Sequence, residues 1–470
     1  MTMYKVLSDD FLLSSNLARE LFDAVFTLPI VDYHSHLPVD VLASNKPFEN
    51  LTELWISGDH YKWRAMRLNG VPEAMCSGSG DDYEKFQAWA ATAPMTLRNP
   101  LHHWSRIELQ RYFGIEQELT PSTSQDIWDE ANALLNTVDF TPRALLTRSR
   151  VKILCTTDDP ADALTHHAAL RADDSFDTAV YPTFRPDAAL VPQGMDAFQS
   201  WLDRLRATSN LSIINLSGLL DALKQRHSAF HELGCRISDH GLECVDATDC
   251  DRQTAVDLFG RLLEGKMLSG EKLAQWRGFM MRQFAEWNHA QGWVMLLHLG
   301  ALRNNNAKVF AQSGLDAGCD SIGDFSQAQG LNRFLSSLDQ DDILPKVIIF
   351  NSNPSDNLVF ATIAGNFFED GIPGKVQYGP AWWFLDTIAG IRAQFDEMSS
   401  VGLAQRFVGM VTDSRSFLSF SRHEYFRRLM CNLYASDALA GLLPMDKSRL
   451  VNVLQAICHT NACDYFDWEG

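Results

Sequence analysis

No run of apolar residues in this chain reaches the roughly eighteen that a helix needs to cross a bilayer, so a membrane span is not expected. The opening residues, MTMYKVLSDDFLLSSN, lack the basic segment and long apolar core of a secretory signal, and a cytoplasmic protein is the expectation. Basic charge is scarce as well: 40 Lys and Arg stand against 59 Asp and Glu, a net charge of −19. That balance argues against a nucleic-acid partner, which is ordinarily held by a basic face. It also mildly repels an anionic substrate, so any acid bound here must be captured by local arginines or a cation. The nine cysteines have no framework spacing. Cys235, Cys244 and Cys250 are too irregular for a zinc ribbon and CHTNAC (458–463) is only weakly ligand-like, so reduced thiols are the simplest account. A phosphate loop is missing too. GRLLEGKM (260–267) imitates one, but Met267 stands where Ser or Thr is required, inside a helical pattern instead of after a strand. Internal repeats and low-complexity tracts are lacking.

What is present is the composition of a folded protein, 46% hydrophobic and 21% charged over 470 residues, long enough for one large barrel with insertions. Eight short β-rich runs recur, each ending in polar residues: LPIVDYHSH (28–36), VKILCTTDD (151–159), TAVYPTFRP (178–186), GCRISDHGL (234–242), GWVMLLHLGA (292–301), KVIIFNSNP (346–354), KVQYGPAWW (375–383) and RFVGMVTDSR (406–415). Near-continuous apolar runs predict strands covered on both faces, as in a parallel sheet. Amphipathic stretches lie between most of them, the clearest being residues 255–291. The pattern predicts an α/β fold, a distorted (β/α)8 TIM-type barrel with a helical insertion between strands 1 and 2. Residues 1–36 form an N-terminal helix and the first strand, and 37–150 a mainly helical, Trp-rich insertion over the barrel mouth. Residues 151–470 form the remaining barrel and C-terminal helices.

In such a barrel the chemistry sits at the C-terminal strand ends. His34 and His36 close the first strand. Residues i and i+2 of a strand share a side, so both imidazoles can face one metal ion. The bland alternative is two unrelated histidines, one hydrogen-bonded and one solvated. Asp413, in the last strand, tips the balance, because first and eighth strands are neighbours in a closed barrel. Two imidazoles, one carboxylate and open positions make a catalytic divalent-metal site. His298, ending the fifth strand, is a further ligand, a substrate contact, or a core histidine satisfied by backbone. Arg185, Arg303 and Arg415 recur at the same ends. They suit bidentate carboxylate recognition, although each alone is as readily a surface ion-pair partner. His60 and Tyr61 stand together in GDHYKW. A tyrosine near a cation can have its pKa lowered enough to act as acid or base, or it can simply pack beside Trp63. Trp382 and Trp383 stack on substrate or only roof the barrel. The pairs His102–His103 and His166–His167 diverge by about 100° on helices and read as surface or packing.

Together these motifs resemble uronate isomerase (glucuronate isomerase), a divergent branch of the amidohydrolase superfamily, essentially end to end. The likeness rests on DYHSHL, GDHYKWRAMR, CTTDDP, TFRPD, SDHG, LHLGALRNNN, NPSDN, GIPGKVQYGPAWWF and GMVTDSRSFLSFSRHEYFRR, in the family's order. It implies interconversion of D-glucuronate with D-fructuronate, and of D-galacturonate with D-tagaturonate. It implies His34, His36 and Asp413 as ligands of one divalent ion, zinc, with manganese as the other fit. Tyr61, Asp413 and Arg415 are implied as catalytic groups, and His60, Arg185, Asp239, His298, Arg303 and Trp382 as substrate contacts. The partners implied are a small hexuronate and, as an open possibility, further copies of the chain, with no nucleic acid and no membrane. Ser35 stands where many relatives have Cys, and conservative changes in the final strand and glycine-rich segment leave substrate preference open. The alternative is a mononuclear metal-dependent hydrolase of the same superfamily. Binuclear members commonly use a carboxylated lysine at a middle strand end, and neither RISDHG nor YPTFRP contains one. A barrel that binds sugar acids without converting them is the remaining rival.

Overall fold

A computed structural model describes residues 7–190 and 194–468. The expected outermost limits, residues 1–6 and 469–470, lie outside the described residues. Nine strands occur among them: β1 Ile30–Asp32, β2 Val151–Cys155, β3 Ala179–Tyr181, β4 Ile237–Leu242, β5 Val294–Leu299, β6 Ala301–Leu302, β7 Ser321–Ile322, β8 Lys346–Asn351 and β9 Val376–Tyr378. One parallel sheet has the order β1-β2-β3 and a second the order β4-β5-β8-β9, while β6 and β7, with helix Ala307–Ser313 between them, form a small antiparallel pair that the sequence pattern did not predict. Phe184 joins the two sheets. Its N–H donates to the Ile237 carbonyl at 3.1 Å, and its own carbonyl accepts from the Asp239 N–H at 3.0 Å. Seven of the eight predicted barrel strands therefore follow one another in order. The architecture is mixed α/β, a distorted (β/α)8 barrel.

The eighth predicted strand, 406–415, is the correction: it forms no regular ladder. It is seated against the first by mixed bonds. The Thr412 N–H donates to the Asp32 carboxylate at 2.9 Å, the Asp413 N–H to the His34 carbonyl at 3.2 Å, and the His36 N–H to the Ser414 carbonyl at 3.0 Å. The physical reason is local. The buried Asp32 carboxylate replaces a backbone acceptor, and Gly409 and Asp413, at φ +85° and +46°, leave the β region. The predicted runs also overshoot the ladders, since their polar ends bond to side chains instead of to neighbouring strands.

Strand alternation sorts the side chains into two layers. Val294, Leu296, Ile348 and Phe350 face the barrel interior with Val31, Ile153 and Ile237. Met295, Leu297, Leu299, Val347 and Ile349 face the surrounding helices. Both faces of β5 are thus apolar, which explains its unbroken hydrophobic run. The C-terminal residues Tyr465, Phe466 and Trp468 close the interior from the N-terminal ends of the strands, where the Tyr465 hydroxyl donates to the Lys375 carbonyl at 2.8 Å. Chemistry is left to the opposite end.

The long amphipathic stretch is two helices, Arg252–Leu263 and Glu271–Gln291, split where Gly265 and Gly270 take positive φ. Between β1 and β2 the chain is helical. Four of its helix starts are capped by the preceding side chain, Asn50, Asp59, Asp81 or Asn99, accepting first-turn N–H groups. Among the described residues, no helix is long and apolar enough to cross a membrane.

Candidate active site

Continuing the interior faces of β4 and β5 one step beyond Ile237 and Leu296 reaches Asp239 and His298. The register sets Asp239 opposite Leu296, so His298 lies diagonally across. Its Nδ1 is 2.6 Å from Asp239 Oδ1. The ring stacks on Phe350 with centroids 4.1 Å apart and meets Trp382 edge-on at 4.6 Å. Arg185 Nη1 donates to the other Asp239 oxygen at 2.9 Å, and its Nε to Asp187 at 2.8 Å. Burial alone would raise the Asp239 carboxyl, but Arg185, His298 and His34 outweigh it and hold it well below the usual range.

The ladder of β1 ends at Asp32, before the histidines. Tyr33 packs in the interior against Phe466. His34 and His36, two residues apart, both turn to Asp413, with Nε2 atoms 3.0 and 3.2 Å from the same oxygen. Asp413 is a non-glycine residue in the left-handed region, a cost that is tolerated where a side chain must be aimed. Burial would raise this carboxyl too, and hydrogen bonds from His34 and His36 hold it well below the carboxylate range. Burial presses His36 down to about 4, so at neutral pH its imidazole is uncharged and keeps a lone pair.

The residues fit a metal ion. Two groups of donors, His34, His36 and Asp413, and His34, Asp239 and His298, each gather within 4.8 Å. Two buried ring nitrogens of these residues, His34 Nδ1 and His298 Nε2, have no hydrogen-bond partner. Imidazole and carboxylate donors beside an open cavity are a donor set suited to a catalytic divalent metal. The structure leaves His298 able to be either ligand or substrate contact.

These groups floor a cavity of about 390 Å³, a volume suited to a small polar ligand. All the residues singled out from the sequence line it, except Asp239, which lies behind Arg185 and His298. The helical insertion supplies the facing wall. Asp59 caps helix His60–Leu68 by accepting from the Tyr61 and Lys62 N–H groups at 3.0 and 2.9 Å, and its other oxygen pairs with the buried Lys62 at 2.6 Å. His60 and Tyr61 are thereby fixed at the cavity edge. Arg303 sits over Trp383 at 5.3 Å and pairs with Asp320 at 3.4 Å, while Arg415 pairs with Asp316 at 3.4 Å.

The sequence leaves Tyr61 open between a phenol whose pKa a cation lowers and an aromatic packed beside Trp63. Burial and the neighbouring Asp386 push its pKa well above the usual value, and Arg422 only partly offsets them. Asp386 and Arg422 are the functional neighbours that sequence reasoning missed. Asp386 follows the Trp pair in a loop with no periodicity. Arg422 begins a helix, where an arginine is ordinarily solvent-facing. Asp59 was findable, as an Asp immediately before a helical pattern.

Residues 3–466 match the family model described as glucuronate isomerase. The chain belongs to the glucuronate isomerase family. A uronate isomerase of Cellvibrio japonicus is 46% identical over 460 residues, covering 97% of this chain and 98% of that one. Solved structures agree. A uronate isomerase from Thermotoga maritima superposes with TM-score 0.91 at 33% identity, covering 98% of this chain and 99% of that one. A glucuronate isomerase from Caulobacter crescentus gives 0.91 at 27% identity, with 98% and 97% covered. This glucuronate isomerase family member is accordingly an isomerase.

Proposed function

We propose that the chain interconverts D-glucuronate with D-fructuronate, and D-galacturonate with D-tagaturonate, in hexuronate breakdown. His34, His36 and Asp413 would hold one divalent ion beside the reacting carbons. The observation that carries this reading is the convergence of those three side chains, the two imidazole nitrogens 3.0 and 3.2 Å from one carboxylate oxygen, on a cavity ringed by arginines. When bound, zinc, or manganese in its place, would supply a positive charge that helps orient the open-chain sugar acid. Arg185, Arg303 and Arg415 neutralise the acid against the protein's net charge of −19. Trp382 and His60 bound the sugar's faces, and His298, oriented by Asp239, addresses a hydroxyl. Tyr61 takes the proton from C2 and, after exchange with solvent, delivers a proton to C1 through a cis-enediol, with Asp413 the alternative carrier. Arg415 offsets charge on the enediol oxygens.

Removing the phenolic oxygen tests the assignment. Tyr61→Phe is expected to abolish exchange of the C2 hydrogen with solvent while metal content stays intact, and unchanged turnover would refute it. Assaying hexuronates beside a panel of amides and esters separates isomerisation from hydrolysis.

A further inference from the structure

Protein groups engage the Tyr61 hydroxyl on both sides. It donates to Asp386 Oδ1 at 2.9 Å and accepts from the Phe384 N–H at 2.8 Å. The second Asp386 oxygen accepts from Arg422 Nη1 at 3.2 Å. That guanidinium lies against two aromatic rings, 4.2 Å from Trp104 and 5.6 Å from Tyr61. Asp386 and Arg422 are 7% and 5% exposed, so water does not readily replace either partner. Three parts of the chain meet here: the first turn of an insertion helix, the loop after β9, and the start of helix Ser421–Leu439. A buried carboxylate needs a cation, and Arg422 answers that need. It does not explain why the other carboxylate oxygen is given to the hydroxyl of a tyrosine that lines the cavity.

Resting on the reading that this site isomerises hexuronates, we infer that Asp386 is the terminal acceptor of a two-membered relay in which Tyr61 exchanges one proton for another. In the forward step the C2–H bond breaks and a new O–H bond forms on Tyr61. The original Tyr61 O–H breaks in the same step, and its proton bonds to Asp386 Oδ1. The C2–H electron pair becomes the C1–C2 double bond, and the carbonyl pair moves onto the C1 oxygen. While the enediol is bound, the proton on Tyr61, which lines the cavity, exchanges with solvent; in the return step Asp386 gives its proton back to Tyr61, and Tyr61 delivers one to C1. The C2 hydroxyl proton passes to the C1 oxygen, and the ketone forms. Tyr61 stays neutral throughout, so no buried phenolate is required. Burial raises the Asp386 carboxyl and Arg422 only partly offsets it, which makes this carboxylate a stronger base than an exposed one.

The relay separates Asp386 from a merely structural partner. Asp386→Asn keeps an oxygen for the Tyr61 hydroxyl but cannot take a proton. Its kcat on D-glucuronate is expected to fall at least about a hundredfold, with C2-hydrogen exchange falling in parallel. KM is expected to stay within about threefold, with metal content unchanged, and Asp386→Glu recovers part of the rate. Turnover by the asparagine variant within about threefold of wild type overturns the relay. It leaves the wider reading to stand or fall with Tyr61→Phe, and a wild-type protein inert on every hexuronate sinks that reading instead. If the asparagine variant does not fold, the wild type decides. With 2-deuterated D-glucuronate, the solvent deuterium effect on kcat/KM persists if both protons move together, and a solvent effect of unity overturns the relay.

Discussion

On the barrel side of the cavity, Asp239 and His298 are placed by ladder register. On the insertion side, Tyr61 is placed by a helix cap and by hydrogen bonds to Asp386 and Phe384. The barrel wall collects imidazoles and carboxylates around a space fit for a cation. Facing it, a phenol from the insertion meets a carboxylate from the loop after β9 and a guanidinium from helix Ser421–Leu439, in a chain of hydrogen bonds fit for a proton. A cation site needs several donors held at fixed distances, which strand ends provide. A proton path needs one hydroxyl with a partner behind it, and a loop and two helix starts suffice. The difference teaches that binding and proton transfer in this cavity are separable, and mutations can break the two walls apart.

The largest expected effect is on the barrel wall. Asp413→Ala loses the ion and several kcal/mol of transition-state stabilisation, about three powers of ten in kcat, measured by metal analysis beside turnover. A chelator does the same to the wild type, and added zinc or manganese reverses it. A metal-replete Asp413→Ala protein with normal turnover would erase the contrast between the walls. Next comes Arg185→Met, which strands the fully buried Asp239 carboxylate. It is expected to cost about 3 kcal/mol of stability, read by denaturant unfolding, and to weaken hexuronate binding. The smallest effect belongs to the insertion. Asp81→Ala removes the cap that accepts from the Tyr83 and Glu84 N–H groups. It is expected to cost about 1 kcal/mol and to leave metal content untouched. Loss of the ion in that variant would mean the walls are not independent.

How much of this could be read from the sequence follows the same division. His34, His36, Asp413 and His298 were legible because strand periodicity and barrel order bring them together before any contact is known. The eighth strand was legible as a segment but not as a coil: nothing in GMVTD says that Asp32 will take over a ladder acceptor. The small β6–β7 pair was too short to leave a periodic signal. On the insertion wall, Tyr61 was legible by its motif, while its electrostatics stayed open between a lowered pKa and simple packing. Its partners Asp386 and Arg422 lie 325 and 361 positions away, in a loop and at a helix start where spacing carries no information. Long-range side-chain pairing of that kind is set by tertiary packing.

The account turns on a proton lost from C2 and, after exchange with solvent, a proton delivered to C1 between these walls. Proton NMR of D-glucuronate turned over in deuterium oxide tests it most directly. Solvent deuterium incorporated at C1 of the fructuronate product is the predicted result. Complete conversion with C1 carrying only the hydrogen that began on C2 would contradict it, because a hydrogen passed directly between the carbons needs neither Tyr61 nor Asp386.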